Sequence, residues 1–158
     1  MKEITDTLER IKKRISENIS SKGLKASGKT AESMRIEERA DGGTLYGRAY
    51  FNSLEDGRPA GKVPYDFTDI IKQWILDKGL QFRIIPYKTN RAHKYSVKDR
   101  SLNAAASAIA YTIKERGTLL YRNGGRDDIY SNVINEETEE LIKKLNIKIQ
   151  TIAKNGKN

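Results

Sequence analysis

The sequence predicts an α+β fold, with several amphipathic helices and one small antiparallel hairpin in a chain of 158 residues. Apolar residues recur every three or four positions in separate segments, as helices with one buried face require. One segment beside paired glycines instead alternates between apolar and polar residues, as a half-buried strand does. A chain of this length is typical of one domain, so we expect residues 1–158 to form a single domain.

The first predicted element is an N-terminal helix within residues 1–22. Gly23 stands where a helix commonly ends. One narrow apolar stripe is formed by Ile4, Leu8, Ile11, Ile15 and Ile19. A hairpin is predicted over residues 31–50, because alternating residues flank the turn signal Asp41-Gly42-Gly43.

The middle of the chain predicts a loop, a helix and a long connection. Two glycines and two prolines between positions 57 and 64 indicate a stiff, extended loop. A helix follows over residues 66–78, and Trp74 lies on its apolar face. Residues 79–100 form an irregular basic insertion, for which a short strand at 82–85 is an alternative. A connection of this length is commonly functional.

Two further helices are predicted toward the C-terminus. The first is an Ala-rich helix over residues 99–116, whose inward residues are Ala105, Ala108, Ile109, Thr112 and Ile113. A short helix over residues 127–133 comes next. Residues 135–154 predict a helix capped by Asn135, because apolar residues from 141 to 152 keep helical spacing. Leu145, Ile147 and Ile149 also alternate, so a strand is the alternative for the end of this segment.

The composition excludes several classes of protein. Without cysteine the chain has no disulfide, thiolate metal site or thiol nucleophile, and its single histidine excludes a multi-histidine metal site. No apolar run approaches the ~18 residues of a membrane span, and the first residues lack the apolar core of a signal peptide. We therefore expect no membrane association, no cofactor and no enzymatic activity.

Three short patterns suggest catalysis or metal binding, and none has its required context. Residues 23–30 match the phosphate-loop pattern G-x-x-x-x-G-K-T, but a helix is predicted before them where a nucleotide site needs a buried strand. His93 lies among cations, with no carboxylate beside it to orient its ring. Asp127 and Asp128 suit a hard cation, but also suit the start of a helix.

The charge is concentrated in one segment. The chain has 30 basic and 21 acidic residues, a net charge of +9, and residues 79–100 carry six basic residues against Asp99 alone. Cations neutralise phosphates and aromatic rings stack on bases, so the segment predicts nonspecific contact with nucleic acid or with a partner protein, whereas a solubilising surface loop is the alternative. The candidate contact residues are Arg83, Lys88, Arg91, Lys94, Lys98 and Arg100.

A second candidate surface is the Gly- and Pro-rich loop, because a stiff support can present side chains to acidic patches of a neighbouring protein. Its candidate docking residues are Glu55, Gly57, Arg58, Gly61, Lys62 and Pro64.

Several of these segments, taken in order, resemble one protein family. The set comprises Lys25–Arg35, Thr44–Arg48, Glu55–Pro64, Ile71–Gly79 and the helix that ends Ile113-Lys114-Glu115-Arg116-Gly117-Thr118. It is similar to the tail-completion, or head–tail joining (neck), proteins of tailed double-stranded DNA bacteriophages. Their shared features are a G-R-x-P-G-x-x-P loop, a W-x-x-x-K-G helix end and an Ala-rich helix that closes on Gly-Thr.

The resemblance implies a small antiparallel sheet packed against the long Ala-rich helix, with flanking N- and C-terminal helices. It also implies a structural virion protein, a homo-oligomeric ring at the head–tail junction that joins the portal or its adaptor to the tail. The implied locations are the virion and, during assembly, the host cytoplasm. Genomic DNA in a channel is an implied nonspecific contact. Here the 80–100 segment is longer and more basic than the family requires.

Overall fold

The computed structural model describes residues 2–40, 42–89 and 91–155. Its elements in chain order are α1 (Lys2–Ser21), α2 (Lys29–Glu32), β1 (Arg35–Arg39), β2 (Gly42–Tyr46), a 3₁₀ helix (Phe51–Leu54), α3 (Phe67–Asp77), α4 (Val97–Arg116), α5 (Leu119–Arg122) and α6 (Ser131–Asn155). The chain divides into two units: unit 1 comprises residues 1–55 and 126–158, and unit 2 comprises residues 56–125.

The α+β class is confirmed, with one difference in the packing. Strands β1 and β2 pair antiparallel, with Ile36 opposite Leu45, and the predicted turn residue Asp41 lies outside the described residues. The sheet packs against α1 so closely that a Cβ on Gly43 would lie 2.6 Å from Leu8 Cδ1. The resemblance implied that the sheet packs against the Ala-rich helix. Instead, the Ala-rich helix α4 packs against α3, and the sheet packs against α1.

Unit 1 is built on the apolar stripe of α1. Its buried residues Ile11, Ile15 and Ile19 share a cluster with Met34 from the segment before β1 and with Ile129 and Val133. Beside the cluster, the Glu137 carboxylate accepts hydrogen bonds from Arg10 Nε at 2.9 Å and Arg14 Nη1 at 3.0 Å. The predicted stripe is therefore confirmed as the face that holds α1 and α6 together.

Unit 2 is built on the pairing of α3 with α4. Large side chains of α3 (Phe67, Ile71 and Ile75) pack on the buried Ala106 and Ala110 of α4, because small residues let two helices approach closely. Ala108 and Thr112, predicted to face inward, are exposed. Ala105, Ile109 and Ile113, also predicted to face inward, do pack against this cluster, so the buried face overlaps the predicted one and is shifted toward Ala106 and Ala110.

The boundaries of three predicted elements are corrected. Helix α4 begins at Val97 rather than at residue 99, because the Ser96 hydroxyl accepts the Asp99 amide and caps the first turn. Residues 82–85 form no strand. Helix α6 runs continuously from Ser131, so the helical alternative for residues 135–154 is confirmed and the strand is excluded. Asn135 lies inside this helix rather than at its cap, and a separate 127–133 helix is not formed.

Candidate functional site

The docking loop of unit 2 is hydrogen-bonded along the end of α4 and the residues that follow it. Arg58 N donates to Thr118 Oγ1 at 2.9 Å, Thr118 N donates to Arg58 O at 2.9 Å, and Gly61 N donates to Lys114 O at 2.8 Å. Three backbone donors are thereby satisfied between segments far apart in the sequence. These hydrogen bonds hold the docking loop in place against the rest of unit 2.

Two glycines make this close approach possible. Gly57 has φ 71°, and a Cβ there would lie 2.4 Å from Tyr121 N. Gly117 has φ 74°, and a Cβ there would lie 2.7 Å from Arg58 O. Both positions combine a left-handed backbone with contact against main-chain atoms, which only glycine tolerates without displacement.

Arg58 stabilises the loop from within. Its guanidinium carbon lies 5.0 Å from the centroid of the Phe67 ring, and Nη2 donates to Lys62 O at 3.0 Å. Lys62, Pro64 and Gly61 are exposed, whereas Arg58 is half-buried and Gly57 is buried. Among the predicted docking residues of unit 2, the side chains of Lys62 and Pro64 are therefore the ones most open to a partner.

Glu55, also predicted as a docking residue, has a different role. It belongs to unit 1 and is 2% exposed. One carboxylate oxygen, Oε1, accepts the backbone amides of Ile129 (2.8 Å), Tyr130 (2.6 Å) and Ser131 (3.0 Å), and Oε2 accepts the Ser131 hydroxyl. Glu55 therefore caps the N-terminus of α6, and the expectation that it docks a partner is corrected.

The environment of Glu55 favours its charged form. Burial is the largest single influence and would raise the pKa of Glu55, but the hydrogen bonds from Ser131, Tyr130 and Ile129 together outweigh it. The net result is a pKa below the ordinary value of 4.5. Ionised at neutral pH, the carboxylate also complements the positive end of the α6 dipole.

The basic segment, residues 79–100 of unit 2, places most of its cations in solvent. Those exposed are Arg83, Lys88, Arg91, Lys94 and Lys98. Arg100 is half-buried and donates from Nη1 to Ile85 O at 3.2 Å and to Pro86 O at 3.0 Å. Arg100 therefore supports the loop, and the other five cations are available for contact.

A stack of aromatic rings organises the same segment. The Tyr87 and His93 rings are nearly parallel, at 6°, with centroids 3.5 Å apart. The guanidinium carbon of Arg100 lies 4.6 Å from the Tyr87 centroid, and the Tyr87 hydroxyl donates to Tyr95 O at 3.1 Å. His93, which the sequence left without a role, is part of this stack.

One anchor of the basic segment was not predicted. Ser101 is fully buried, and its hydroxyl accepts the Ile85 amide at 2.8 Å while donating to Val97 O at 2.7 Å. It ties the extended chain before the stack to the first turn of α4. A serine within an Ala-rich helix is not distinctive enough for the sequence to indicate this function.

An aromatic groove opens on unit 2 beside the docking loop. Its volume is about 230 Å³, and Ser107 and Ala110 of α4 are among its lining residues. Tyr65 and Tyr111, which also line it, are 108% and 67% exposed. The docking loop and two exposed tyrosines thus share one side of unit 2.

Of the three short patterns that suggest catalysis or metal binding, His93 is described above, and the other two lie in unit 1. The phosphate-loop pattern follows α1 and ends in the four-residue helix α2, with Gly28 at φ 85° between them. The Asp128 carboxylate is held by Arg126 and Lys22, whose hydrogen bonds lower its pKa. Within the described residues no cluster of three or more acidic or histidine side chains is arranged to hold a metal ion.

Comparisons with protein-family models, with curated proteins and with solved structures found no match for this chain. The resemblance to bacteriophage neck proteins stays a prediction from the residues quoted above. Helices of the described part of the chain include none that is both long and apolar enough to cross a membrane.

Proposed function

We propose that this chain is a structural subunit of a tailed bacteriophage particle, which forms a ring at the head–tail junction and joins the portal or its adaptor to the tail. One observation carries the proposal. Two pieces of the family pattern, Gly57-Arg58 and Gly117-Thr118, are about 60 positions apart in the sequence and are hydrogen-bonded to each other. Contact between separate pieces of one family pattern supports the interpretation that they belong to one structural unit.

The stiffness of the docking loop suits a function in assembly. The loop loses little conformational entropy when a partner binds, because its hydrogen bonds already hold it in place. Lys62 and Pro64 are exposed on the docking loop, and the exposed tyrosines of the groove offer apolar contact area. A head-to-tail contact that uses different surfaces of each copy closes into a ring when the rotation permits.

The test is made in the phage that encodes the chain. Particles assembled without the protein are expected to package DNA but to fail to hold or join tails. Complementation with Lys62→Glu is expected to lower the yield of tailed particles, whereas Lys2→Glu, an equal charge reversal at an exposed lysine of unit 1 outside the family pattern, is the matched control. Normal infectious particles formed in the absence of the protein would refute the proposal. Wild-type particles that contain no copy of the protein would also refute it.

A second function, nonspecific binding to nucleic acid, is favoured by the distribution of charge. Unit 2 contains 13 basic and 6 acidic residues, so +7 of the net +9 belongs to it. Five exposed cations of the basic segment contribute most of this excess. Affinity for DNA of mixed sequence that falls steeply with salt is the expected result, and the absence of binding at low salt would exclude this function.

A further inference from the structure

We infer that the basic segment binds the phosphate backbone of double-stranded nucleic acid in preference to single strands, and that the Tyr87–His93 stack holds its cations in position for this. The inference rests on the second function proposed above. It adds the form of the ligand and two positioning residues, because the geometry shows how the rings of this segment are used.

The cations of the segment are free to meet phosphates. Of the described ion pairs, none includes Arg83, Lys88, Arg91, Lys94 or Lys98. The one acidic residue of the segment, Asp99, accepts the Ser96 hydroxyl at 2.7 Å at the start of α4. A polyanion therefore displaces no protein carboxylate from these five side chains.

The aromatic rings, in contrast, are mostly occupied within the protein. Phe82 packs on the core of unit 2, and Tyr87 has the His93 ring against it and the Arg100 guanidinium close by. Proteins that bind single strands need exposed rings on which successive bases stack. The exposed rings of the segment are His93, which has one face against Tyr87, and Tyr95, which has Lys94 Nζ 5.3 Å from its centroid. Two such rings are too few for a track of stacked bases.

The same contacts fix the backbone that carries the cations. His93 Nε2 lies 3.2 Å from Thr89 O, and the Tyr87 hydroxyl reaches Tyr95 O, so Lys88, Arg91 and Lys94 lie within or beside residues joined by the stack. Arg100 and Ser101 tie the chain before it to α4. The described residues on either side of position 90 are thereby held before binding, which lowers the conformational entropy lost when the segment meets a row of phosphates.

The experiment measures binding of the purified full chain by fluorescence anisotropy. Its three probes are a mixed-sequence duplex, oligo-dT with the same number of nucleotides and polyglutamate. If all five cations meet phosphates, the logarithm of the duplex binding constant should fall with the logarithm of salt concentration with a slope of about −4.5. The duplex is expected to bind more tightly than oligo-dT and polyglutamate.

Two sets of variants separate charge from positioning. Replacing Lys88, Arg91 and Lys94 by alanine should reduce the slope to about −2. Its control removes three exposed lysines of unit 1, at positions 13, 25 and 29, and should leave the slope unchanged. Tyr87→Ala changes no charge and should weaken duplex binding about five- to tenfold. Tyr87→Phe keeps the stack but loses the hydrogen bond to Tyr95 O, so its affinity should lie between those of the wild type and Tyr87→Ala. His93→Ala gives a second removal of the stack should Tyr87→Ala fail to fold.

The outcomes distinguish the inference from the function beneath it. If no probe binds even at the lowest salt, or polyglutamate binds most tightly, nucleic-acid binding itself is refuted. If the duplex binds but Tyr87→Ala and His93→Ala bind it as the wild type does, the positioning role is refuted and the function stands. Tighter binding to oligo-dT that is lost in Tyr95→Ala likewise refutes the preference for duplex.

Discussion

Replacement of Glu55 by alanine tests the strongest unpredicted interaction of unit 1. The change removes the acceptor of three backbone amides and one hydroxyl at a site that is 2% exposed. Each buried donor left without a partner costs about 1–3 kcal/mol, but water that enters the vacated space satisfies some of them. We therefore expect the free energy of unfolding to fall by about 3–5 kcal/mol.

Thermal unfolding followed by circular dichroism measures this loss. For a chain of this size, about 3 °C is lost for each kcal/mol, so the melting temperature should fall by roughly 9–15 °C. Amide hydrogen exchange at Ile129, Tyr130 and Ser131 should accelerate, because these amides lose their acceptor. Asp56→Ala, at the exposed neighbouring position, is the control and should change stability by less than about 0.5 kcal/mol. If the two variants melt within about 2 °C of each other, the capping argument is wrong.

The pH dependence of stability provides an independent check on Glu55. Its folded-state pKa lies below the ordinary value of 4.5, so the folded state binds fewer protons than the unfolded state in this range. The contribution of Glu55 is thus fully present above pH 4.5 and is lost as the pH falls through the folded-state pKa. Glu55→Gln does not titrate and should show a shallower acid limb than the wild type. Identical acid limbs would contradict the assigned pKa direction.

Three further changes, each measured by urea denaturation at neutral pH, test other contacts. Gly57→Ala should cost about 2–4 kcal/mol because its Cβ meets backbone atoms, whereas Gly61→Ala, with φ 131° and open space around its Cβ, isolates the backbone strain; equal losses would exclude the steric argument. Ser101→Ala should cost about 1–2 kcal/mol, since the Ile85 amide loses its acceptor in a partly buried hydrogen bond, and an unchanged midpoint would refute that contact. Glu137→Gln should cost about 1–2 kcal/mol, less at high salt because its two arginine partners are 40% exposed; a cost unaffected by salt would contradict an ionic origin.

The helices of unit 1 could be predicted because their signal is local. Ile11, Ile15 and Ile19 recur at helical spacing, and the same spacing fixes which face of α1 is buried. In α4 the sequence indicates a helix but not its phase. Alanines lie on several of its faces, so the large side chains of α3 decide that Ala106 and Ala110 are buried while Ala108 is exposed.

The candidate sites were predicted as segments but not as contacts. Glu55 caps residues 74 to 76 positions away, and nothing in its own neighbourhood distinguishes it from an exposed loop carboxylate. The cations and rings of the basic segment are visible in the sequence, but the pairing of Tyr87 with His93 and Arg100 depends on how the loop turns back toward α4. The sequence shows which side chains are charged or aromatic, whereas the fold determines which of them contact each other.

The docking loop illustrates how internal and external roles are separated within one motif. Gly57 and Arg58 are engaged by the chain itself, through close backbone contact and through the Phe67 ring, so changing them should lower the stability of unit 2 first. Lys62 is exposed, so its charge reversal should leave the melting temperature within about 2 °C of the wild type and impair only assembly. If Lys62→Glu lowered stability as much as Gly57→Ala, the Lys62 side chain would have a structural role within unit 2, and the proposed docking contact would have to lie elsewhere.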